Sequence, residues 1–480
     1  MVEIEQKIMK NQQQDPIDQK MKIDQLPINQ NQYQSQLEIQ KVEKLDLDKK
    51  SNNWDAFLNF MSSMIGTGVL AIPFAMYHSG YVLGTLIIIA LGYFSFKQIQ
   101  CLLEIVDHRI ERIKIKSNND LTQVQKAENI NYQELIFDIL GQKSMFFGEY
   151  CLVLYQVGAC ISYIIFFSQF LNEAARYGGF EIHQFLSVLI TLLILIPFQF
   201  IDNIHYFSNL GLYCLLSFFF CAMLMFYDAF IIFQKPASII YFDRWCSFKE
   251  SGNLIGVATY AFEGVGLVFH IKKSMKKKND FNKILSYTML ICAITYIIFG
   301  VVGVLAYGPK LNQIVLMNIP YDGWISLFCK VGYALGKLLC IPLCLFPCYE
   351  IILKYFDLCK EKEISYEQLQ ELEQQDTNVN SQFKQKSSQY LYRIVILIVM
   401  TLIALFIPQF SYFLSFIGGI SGLAIQFVIP SVLYYVYFFK QQNNQDNNKS
   451  FYTQAYHISM AIIGTFLFIF VTYGSVVKLL

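Results

Sequence analysis

The sequence predicts an all-α polytopic membrane protein with eleven transmembrane helices. Hydrophobic residues make up 55% of the 480 residues, charged residues only 15%, and the mean hydropathy is +0.39. A soluble domain carries about 25% charged residues. Apolar runs of roughly 20 residues, the length that crosses the hydrocarbon core of a bilayer, recur along the chain. We number these eleven runs spans 1 to 11, in order 54–78, 81–106, 145–173, 183–201, 206–233, 252–271, 284–307, 323–356, 390–408, 410–439 and 452–477.

Residues 1–51 differ from the rest of the chain and predict a disordered tail. They are rich in Gln, Asn, Lys, Asp and Glu, so they cannot bury enough apolar surface to fold alone. No apolar segment follows Met1, which argues against a cleavable signal peptide. The membrane domain is therefore predicted at 52–478, with soluble loops at 361–389 and 440–450.

Lysine and arginine concentrate in alternate loops, above all in the cluster within 272–283. Cytoplasmic loops carry an excess of these residues, so the tail and the basic loops are predicted to be cytosolic. The missing signal peptide fits a plasma membrane and a vacuolar or lysosomal membrane equally. The opposite set of loops holds only Arg176, Lys235, Arg244, Lys249 and Lys310.

Spans 1 and 6 each carry helix-breaking residues at their centre. Span 1 contains FMSSMIGTGVLAIPFA, with Gly66, Gly68 and Pro73, and span 6 contains Gly264 and Gly266. Gly costs about 1 kcal/mol and Pro about 3 kcal/mol in a helix interior. Interruptions in the first and the sixth span predict two five-span repeats. Because each repeat has an odd number of spans, the two repeats are inverted, which is a plan found in transporters.

The predicted repeats cover about 54–233 and 252–439, and an extra helix follows at 452–477. Unwound backbone in a membrane is tolerated only where it lines a cavity or binds something polar. Free N–H groups around Gly66–Val69 suit a carboxylate, and free carbonyls at the other broken end suit an ammonium group. An amino acid zwitterion fits both ends. The alternative is that the glycines only permit close helix packing, although Gly-x-Gly does not place both residues on one helix face.

Four stretches, in spans 1, 3, 6 and 10, carry a family resemblance. They read NFMSSMIGTGVLAIPFAMYHSGYVLG, YQVGACISYIIF, YAFEGVGLVFHIKKSMK and FLSFIGGISGLAIQFVIPSVL. In this order they resemble the amino acid/auxin permease family, and within it the proton-coupled amino acid transporters. The resemblance implies the leucine-transporter-like 5+5 inverted repeat plus one C-terminal helix, and secondary active transport of small amino acids.

The resemblance also implies which residues bind the substrate. It places Gly66, Thr67 and Gly68 against the substrate carboxylate. Around the amino group and the side chain it places Tyr163, Tyr260, Phe262, Glu263 and Gly264.

The chain departs from the family pattern at three points. The family's usual proline after the break in span 6 is His270 here, and the acidic residue expected two positions later is Lys272. Loop 174–182 has no cysteine for the family's extracellular disulfide. These departures leave the substrate and the coupling ion open.

Span 8 bears on the coupling ion. Sodium-coupled members of this fold commonly place a hydroxyl pair there, whereas residues 329–356 contain no serine or threonine. Sodium prefers oxygen ligands, so the sequence favours a proton. Ionisable residues inside spans are functional hypotheses by default, and the candidates for proton coupling are Glu263, Lys337 and His270.

Each candidate has a simpler alternative. Backbone N–H groups could hold Glu263 permanently as a carboxylate. Lys337 shares a helix face with Lys330 and could stand where sodium sits in relatives, or it could snorkel to water. Histidine as a residue type changes charge between pH 5 and 8, but His270 could simply lie at the cytosolic end of span 6.

The leading hypothesis is therefore a proton-coupled symporter of small neutral amino acids. Two alternatives stay open: an amino-acid-binding membrane sensor that signals through its cytosolic tail, and a sodium-coupled amino acid transporter. An enzyme is not predicted, because the sequence shows no cofactor fingerprint and no nucleophile–base pattern. The expected partners are the amino acid, the proton and the lipid bilayer. No nucleic acid, cofactor or metal site is expected, and protein partners stay open.

Overall fold

The computed structural model of the chain describes residues 51–116, 127, 130–201, 210–234, 245–320, 324–355, 379–407, 409–440 and 451–479. The helices of the spans belong to one unit, Asn53–Leu480. The tail predicted at 1–51 lies outside the described residues apart from Ser51. Residues 361–378 and 441–450 of the predicted loops also lie outside them.

Each predicted span coincides with one helix, or with consecutive helices, of the structure. A short α-helix, Tyr132–Leu140, lies between spans 2 and 3. The helices of the spans, in order, are Asn53–Met64 and Gly68–Ser79, Tyr81–Lys116, Gln142–Tyr177, Gln184–Leu195 with the 3₁₀ turn Ile196–Phe200, Leu210–Gln234, Ser251–Ala261 and Val265–Ser274, Phe281–Tyr307, Trp324–Leu339 and Ile341–Tyr355, Val379–Phe406, Phe410–Lys440, and Phe451–Leu479.

The number of membrane crossings was predicted as eleven. Among the described residues, nine helices are long and apolar enough to cross a membrane, and the bent pair in span 1 makes ten. Span 4, Gln184–Phe200, is apolar but shorter. The chain is thus a multi-pass, all-helical membrane protein, while the count of eleven and the inverted repeat stay predictions.

Two helices extend beyond their apolar runs. Span 2 continues to Lys116, and the helix of span 9 begins at Val379, inside the predicted loop 361–389. Neither extension contains glycine or proline, so nothing in the backbone ends the helix where the apolar residues do. The prediction of a loop was therefore wrong for 379–389.

The spans differ in how deeply they are enclosed. In their most apolar stretches, 72% of the residues of spans 3 and 6 and 78% of those of span 10 are buried, against 22% in spans 9 and 11. Spans 3, 6 and 10 therefore form the centre of the bundle, and spans 9 and 11 lie at its periphery.

The short helix Tyr132–Leu140 packs against spans 6 and 10 of this centre. Its N-terminus is closed by a capping box, in which the Asn131 N–H donates to Glu134 Oε2 at 2.9 Å. Its buried residue Tyr132 donates to the Ile425 carbonyl of span 10 at 3.0 Å and stacks near Phe269 of span 6. The helix thus contacts both the second part of span 6 and span 10.

Candidate functional site

Span 1 is interrupted at its middle. The first helix ends at Met64, the second begins at Gly68, and the two meet at an angle of 49°. Thr67 at the start of the second helix is fully buried, whereas Gly66 is half-buried. Among the atoms of the described residues, a methyl group added at Gly66 would meet only the Met64 carbonyl oxygen, at 4.0 Å. The backbone at Gly66 therefore borders open space.

Span 6 is also interrupted, but its two parts are not bent by more than 40° as those of span 1 are. Its helix ends at Ala261 and resumes at Val265, leaving Phe262, Glu263 and Gly264 between the two parts. Glu263 is buried, with 7% of its surface exposed, and its Oε1 accepts the Gly266 N–H at 3.0 Å. The carboxylate thus caps the start of the second part of the span.

The two interruptions lie against each other. The position of a Cβ atom on Gly68 would be 3.0 Å from Ala261 Cβ and 3.0 Å from Tyr260 Cδ1. The corresponding position on Gly264 would be 2.9 Å from Met64 Cε. Gly68 and Gly264 are therefore the residues that allow the two broken spans to touch, as the packing alternative supposes, and Gly66 is the glycine that faces open space.

Three hydroxyl groups meet beside the interruption of span 1. Thr67 Oγ1 lies 3.2 Å from Ser162 Oγ of span 3 and 3.5 Å from Tyr260 Oη of span 6, and the two latter oxygens are 3.4 Å apart. Tyr155 of span 3 donates to the Tyr260 carbonyl at 2.9 Å. This hydroxyl cluster (Thr67, Ser162 and Tyr260) joins spans 1, 3 and 6 by groups that can both donate and accept.

The carbonyls that the break frees in span 1 are occupied by side-chain donors. Such carbonyls would be costly in an apolar medium without a partner. The Met64 carbonyl accepts from Tyr296 at 2.8 Å, the Ile65 carbonyl from Lys337 at 3.1 Å and the Gly66 carbonyl from Tyr333 at 3.1 Å.

The freed carbonyls of span 6 are occupied as well. Tyr296 shares its hydroxyl between Met64 and the Ala261 carbonyl, which lies at 2.9 Å. Gln426 Nε2 donates to the Phe262 carbonyl at 2.5 Å. Gln426 stands in a π-helical segment of span 10, Ala424–Val428, a distortion often found at functional sites. Tyr296 of span 7 therefore bonds to carbonyls of both interruptions.

Lys337 is buried, with 3% of its surface exposed, and lies 5.5 Å from the centre of the Tyr333 ring. Its ammonium bonds to the Ile65 carbonyl in the unwound segment of span 1. The side chain therefore does not extend to water, as the snorkelling alternative requires. Lys330 precedes Lys337 on the same face of the helix. It is fully buried and donates to the Ile319 carbonyl instead. Of the two lysines, only Lys337 is bonded to the break in span 1.

The remaining predicted site residues are placed differently from one another. The Phe262 ring is fully buried beside Tyr296 and against Gly92 of span 2, so it is not part of the hydroxyl cluster. His270 is exposed on the second part of span 6, beyond the interruption. Tyr163 is half-buried near Tyr260. The structure therefore brings Thr67 and Tyr260 together and separates Phe262 and His270 from them.

Comparison with known proteins identifies the family. The family described as "Transmembrane amino acid transporter protein" matches residues 49–477 of the chain. The chain belongs to this family. The transporter is 25% identical over 420 residues to the amino acid transporter AVT3C of Arabidopsis thaliana, covering 82% of this chain and 84% of the relative. It is 27% identical over 401 residues to vacuolar amino acid transporter 4 of Saccharomyces cerevisiae, covering 79% of this chain and 52% of the relative.

Solved structures share the fold of the transporter. The inward-facing conformation of Mhp1 has a TM-score of 0.56 at 10% identity, and the alignment covers 90% of each chain. A Na⁺-coupled sialic acid symporter in its substrate-bound, outward-open state has a TM-score of 0.51 at 13% identity, covering 88% of this chain and 90% of that one. At such low identity these likenesses show the fold alone. The family resemblance inferred from the four sequence stretches is thus confirmed, and so is the expectation that the protein is not an enzyme.

Proposed function

We propose that the chain is a secondary active transporter that carries small neutral amino acids across a membrane by proton symport. The observation that carries the proposal is the pair of adjoining interruptions in spans 1 and 6, with the open space at Gly66 beside the hydroxyl cluster. Curated relatives are named amino acid transporters. Membership of the family supports the assignment as an amino acid transporter. The substrate site and the coupling ion are inferred from the contacts at the interruptions of spans 1 and 6.

The substrate carboxylate is assigned to the start of the second helix of span 1. The N–H groups of the first helical turn have no partner within their own helix, and the helix dipole favours a negative charge there. The Thr67 and Tyr260 hydroxyls stand beside this end and can donate to a carboxylate oxygen. Gly66 allows the substrate to approach the backbone, because no side chain fills the space beside it.

The coupling ion is assigned as a proton because the carbonyls of the breaks are already engaged. Sodium would need several of these oxygens as ligands, as other hard cations do. Here Met64, Ile65 and Gly66 accept hydrogen bonds from side chains of spans 7 and 8. Lys337 donates to the Ile65 carbonyl at 3.1 Å, where a metal cation would otherwise compensate the unwound backbone.

The membrane is assigned as a vacuolar or lysosomal one, with the tail on the cytosolic side. Several relatives are named vacuolar amino acid transporters, and the basic loops predict the orientation. In this arrangement the acidic lumen supplies the protons, and amino acids leave the compartment with them.

The experiment that tests the proposal is uptake by proteoliposomes that contain the purified full-length chain. We expect uptake of one or more small neutral amino acids in a screen of the common amino acids. Uptake should persist when choline replaces sodium and should rise as the pH on the substrate side falls. Uptake that requires sodium would contradict proton coupling, and substrate binding without flux would favour the sensor alternative.

Glu263→Gln is expected to remove pH-driven accumulation and to retain exchange of amino acid across the membrane. Glutamine keeps an oxygen that can accept the Gly266 N–H, but it does not titrate. Accumulation and exchange would be measured in the same proteoliposomes at two external pH values. Glu149→Gln, which alters an equally buried carboxylate of span 3 with 4% exposed surface, is the matched control. Unchanged pH dependence in Glu263→Gln would exclude Glu263 as the titrating group.

A further inference from the structure

A charged cavity of about 450 Å³ lies apart from the interruptions of spans 1 and 6. Its walls come from the extended end of span 2, the end of span 6 and the start of span 7. Its apolar lining includes Ile110, Phe269 and Phe281. The charged residues that line it are Lys114, Lys272, Lys273, Lys278, Asp107 and Glu111.

The lining carries a net positive charge. Lys272 is bonded to Asp107 at 2.7 Å, so this pair is neutralised within the wall. Lys114 and Lys273 are exposed and come from different spans. Two ammonium groups from different helices around one cavity can bind a single anion together.

The cavity stands where the apolar residues of spans 2 and 6 give way to lysine, on the side predicted to be cytosolic. Negative lipids of a cytosolic leaflet attract basic segments close to the ends of membrane helices, and basic pockets between such helices bind phosphorylated headgroups. Its volume lies within the range of about 300–1,000 Å³ that is usual for small-molecule sites.

We propose that this cavity binds the phosphorylated headgroup of a phosphoinositide of the cytosolic leaflet. The lysines contact the phosphate groups, and the acyl chains extend along the apolar surface of spans 2 and 7. The proposal is independent of which amino acid the transporter carries and of its coupling ion, because none of the lining residues belongs to the hydroxyl cluster or to the interruptions of spans 1 and 6.

The chain offers a matched pair of variants for a test. Lys114→Gln with Lys273→Gln removes two exposed charges that line the cavity. Lys276→Gln with Lys277→Gln removes two equally exposed charges that do not line it. Both double variants change the net charge by the same amount, so a general attraction of a basic surface to a negative membrane predicts the same loss of binding for both.

Binding would be measured with the purified full-length chain in nanodiscs of phosphatidylcholine that contain either a phosphatidylinositol bisphosphate or phosphatidylserine at equal total charge. We expect the phosphoinositide to be preferred over phosphatidylserine. The cavity variant should lose affinity for the phosphoinositide on the order of tenfold, and the control variant less than about threefold. The charge-retaining variant Lys114→Arg with Lys273→Arg should keep the affinity and also shows that the cavity tolerates substitution.

Equal losses in the two double variants would overturn the proposal in favour of diffuse attraction, and so would equal binding of the two lipids. Soluble inositol polyphosphate, added to protein in detergent, distinguishes the source of the phosphates. We expect it to compete only weakly with the lipid. If it binds as tightly as the lipid and the cavity variant abolishes that binding, the site takes a soluble phosphate compound and the assignment to a lipid is wrong.

Discussion

Lys337→Met is expected to abolish pH-driven, concentrative transport while the protein still assembles in the membrane. Methionine has a similar length but cannot donate to the Ile65 carbonyl, which now accepts the ammonium at 3.1 Å. A buried acceptor left without a donor costs about 1–3 kcal/mol, and the unwound segment of span 1 also loses its compensating positive charge. Accumulation of amino acid against its gradient, driven by an imposed pH gradient, is the measurement.

Lys330→Met is the matched control for this prediction. Lys330 lies on the same helix, is fully buried and donates to the carbonyl of Ile319, which belongs to the connection after span 7 and not to the interruption of span 1. Its loss is expected to lower the thermal stability of the purified protein and to leave the ratio of accumulation to exchange unchanged. If Lys337→Met accumulates amino acid as the unmodified chain does, Lys337 is a structural donor only.

The positions of the interruptions could be predicted from the sequence because their cause is local. Glycine lowers the stability of a helix at the residue where it stands, so the glycines predicted unwinding near Gly66–Gly68 and Glu263–Gly266 without any knowledge of neighbouring spans. Gly68 and Gly266 themselves lie within the resumed helices. The structure places the unwound residues at 65–67 and 262–264. The family resemblance in turn pointed to Thr67 and Tyr260, which the structure brings within 3.5 Å of each other.

The side chains that satisfy the breaks could not be predicted, because their roles depend on packing between distant spans. Tyr296 reaches the Met64 carbonyl across 232 positions of sequence, and Gln426 reaches the Phe262 carbonyl across 164. Tyrosine is abundant in this chain, with 31 residues, so a tyrosine at the centre of span 7 carries no distinguishing signal. The sequence offered two indications: Lys337, already a candidate inside span 8, and the isolated Gln426 in an apolar span.

The two glycines of span 1 illustrate the same limit. The Gly-x-Gly spacing correctly excludes a shared helix face, and from this the sequence favours substrate binding for both residues. In the structure their surroundings differ: Gly68 touches Tyr260 and Ala261, whereas Gly66 faces open space. Which neighbour each glycine meets depends on where span 6 crosses span 1, and a single sequence does not contain that information.

Gly68→Val is accordingly expected to abolish transport through loss of packing between spans 1 and 6. A Cβ atom at Gly68 would already be 3.0 Å from the Ala261 and Tyr260 side chains and 3.3 Å from Ala261 Cα. The two additional methyl groups of valine would push the spans apart, and such overpacking typically costs about 1–3 kcal/mol. Uptake by proteoliposomes, together with the thermal stability of the purified variant, is the measurement.

Gly66→Ala separates packing from substrate binding. Its methyl group would point into open space, since the nearest atom outside its immediate neighbours is 4.0 Å away, so the variant should assemble with unchanged stability. If the substrate carboxylate lies against this backbone, the methyl group occupies part of its place, and the KM should rise several-fold while the protein stays folded. For the valine variant, normal uptake by Gly68→Val would mean that spans 1 and 6 do not meet at Gly68. An unchanged KM in Gly66→Ala would move the carboxylate away from the break, because a methyl group cannot share that space with a ligand bound to the backbone.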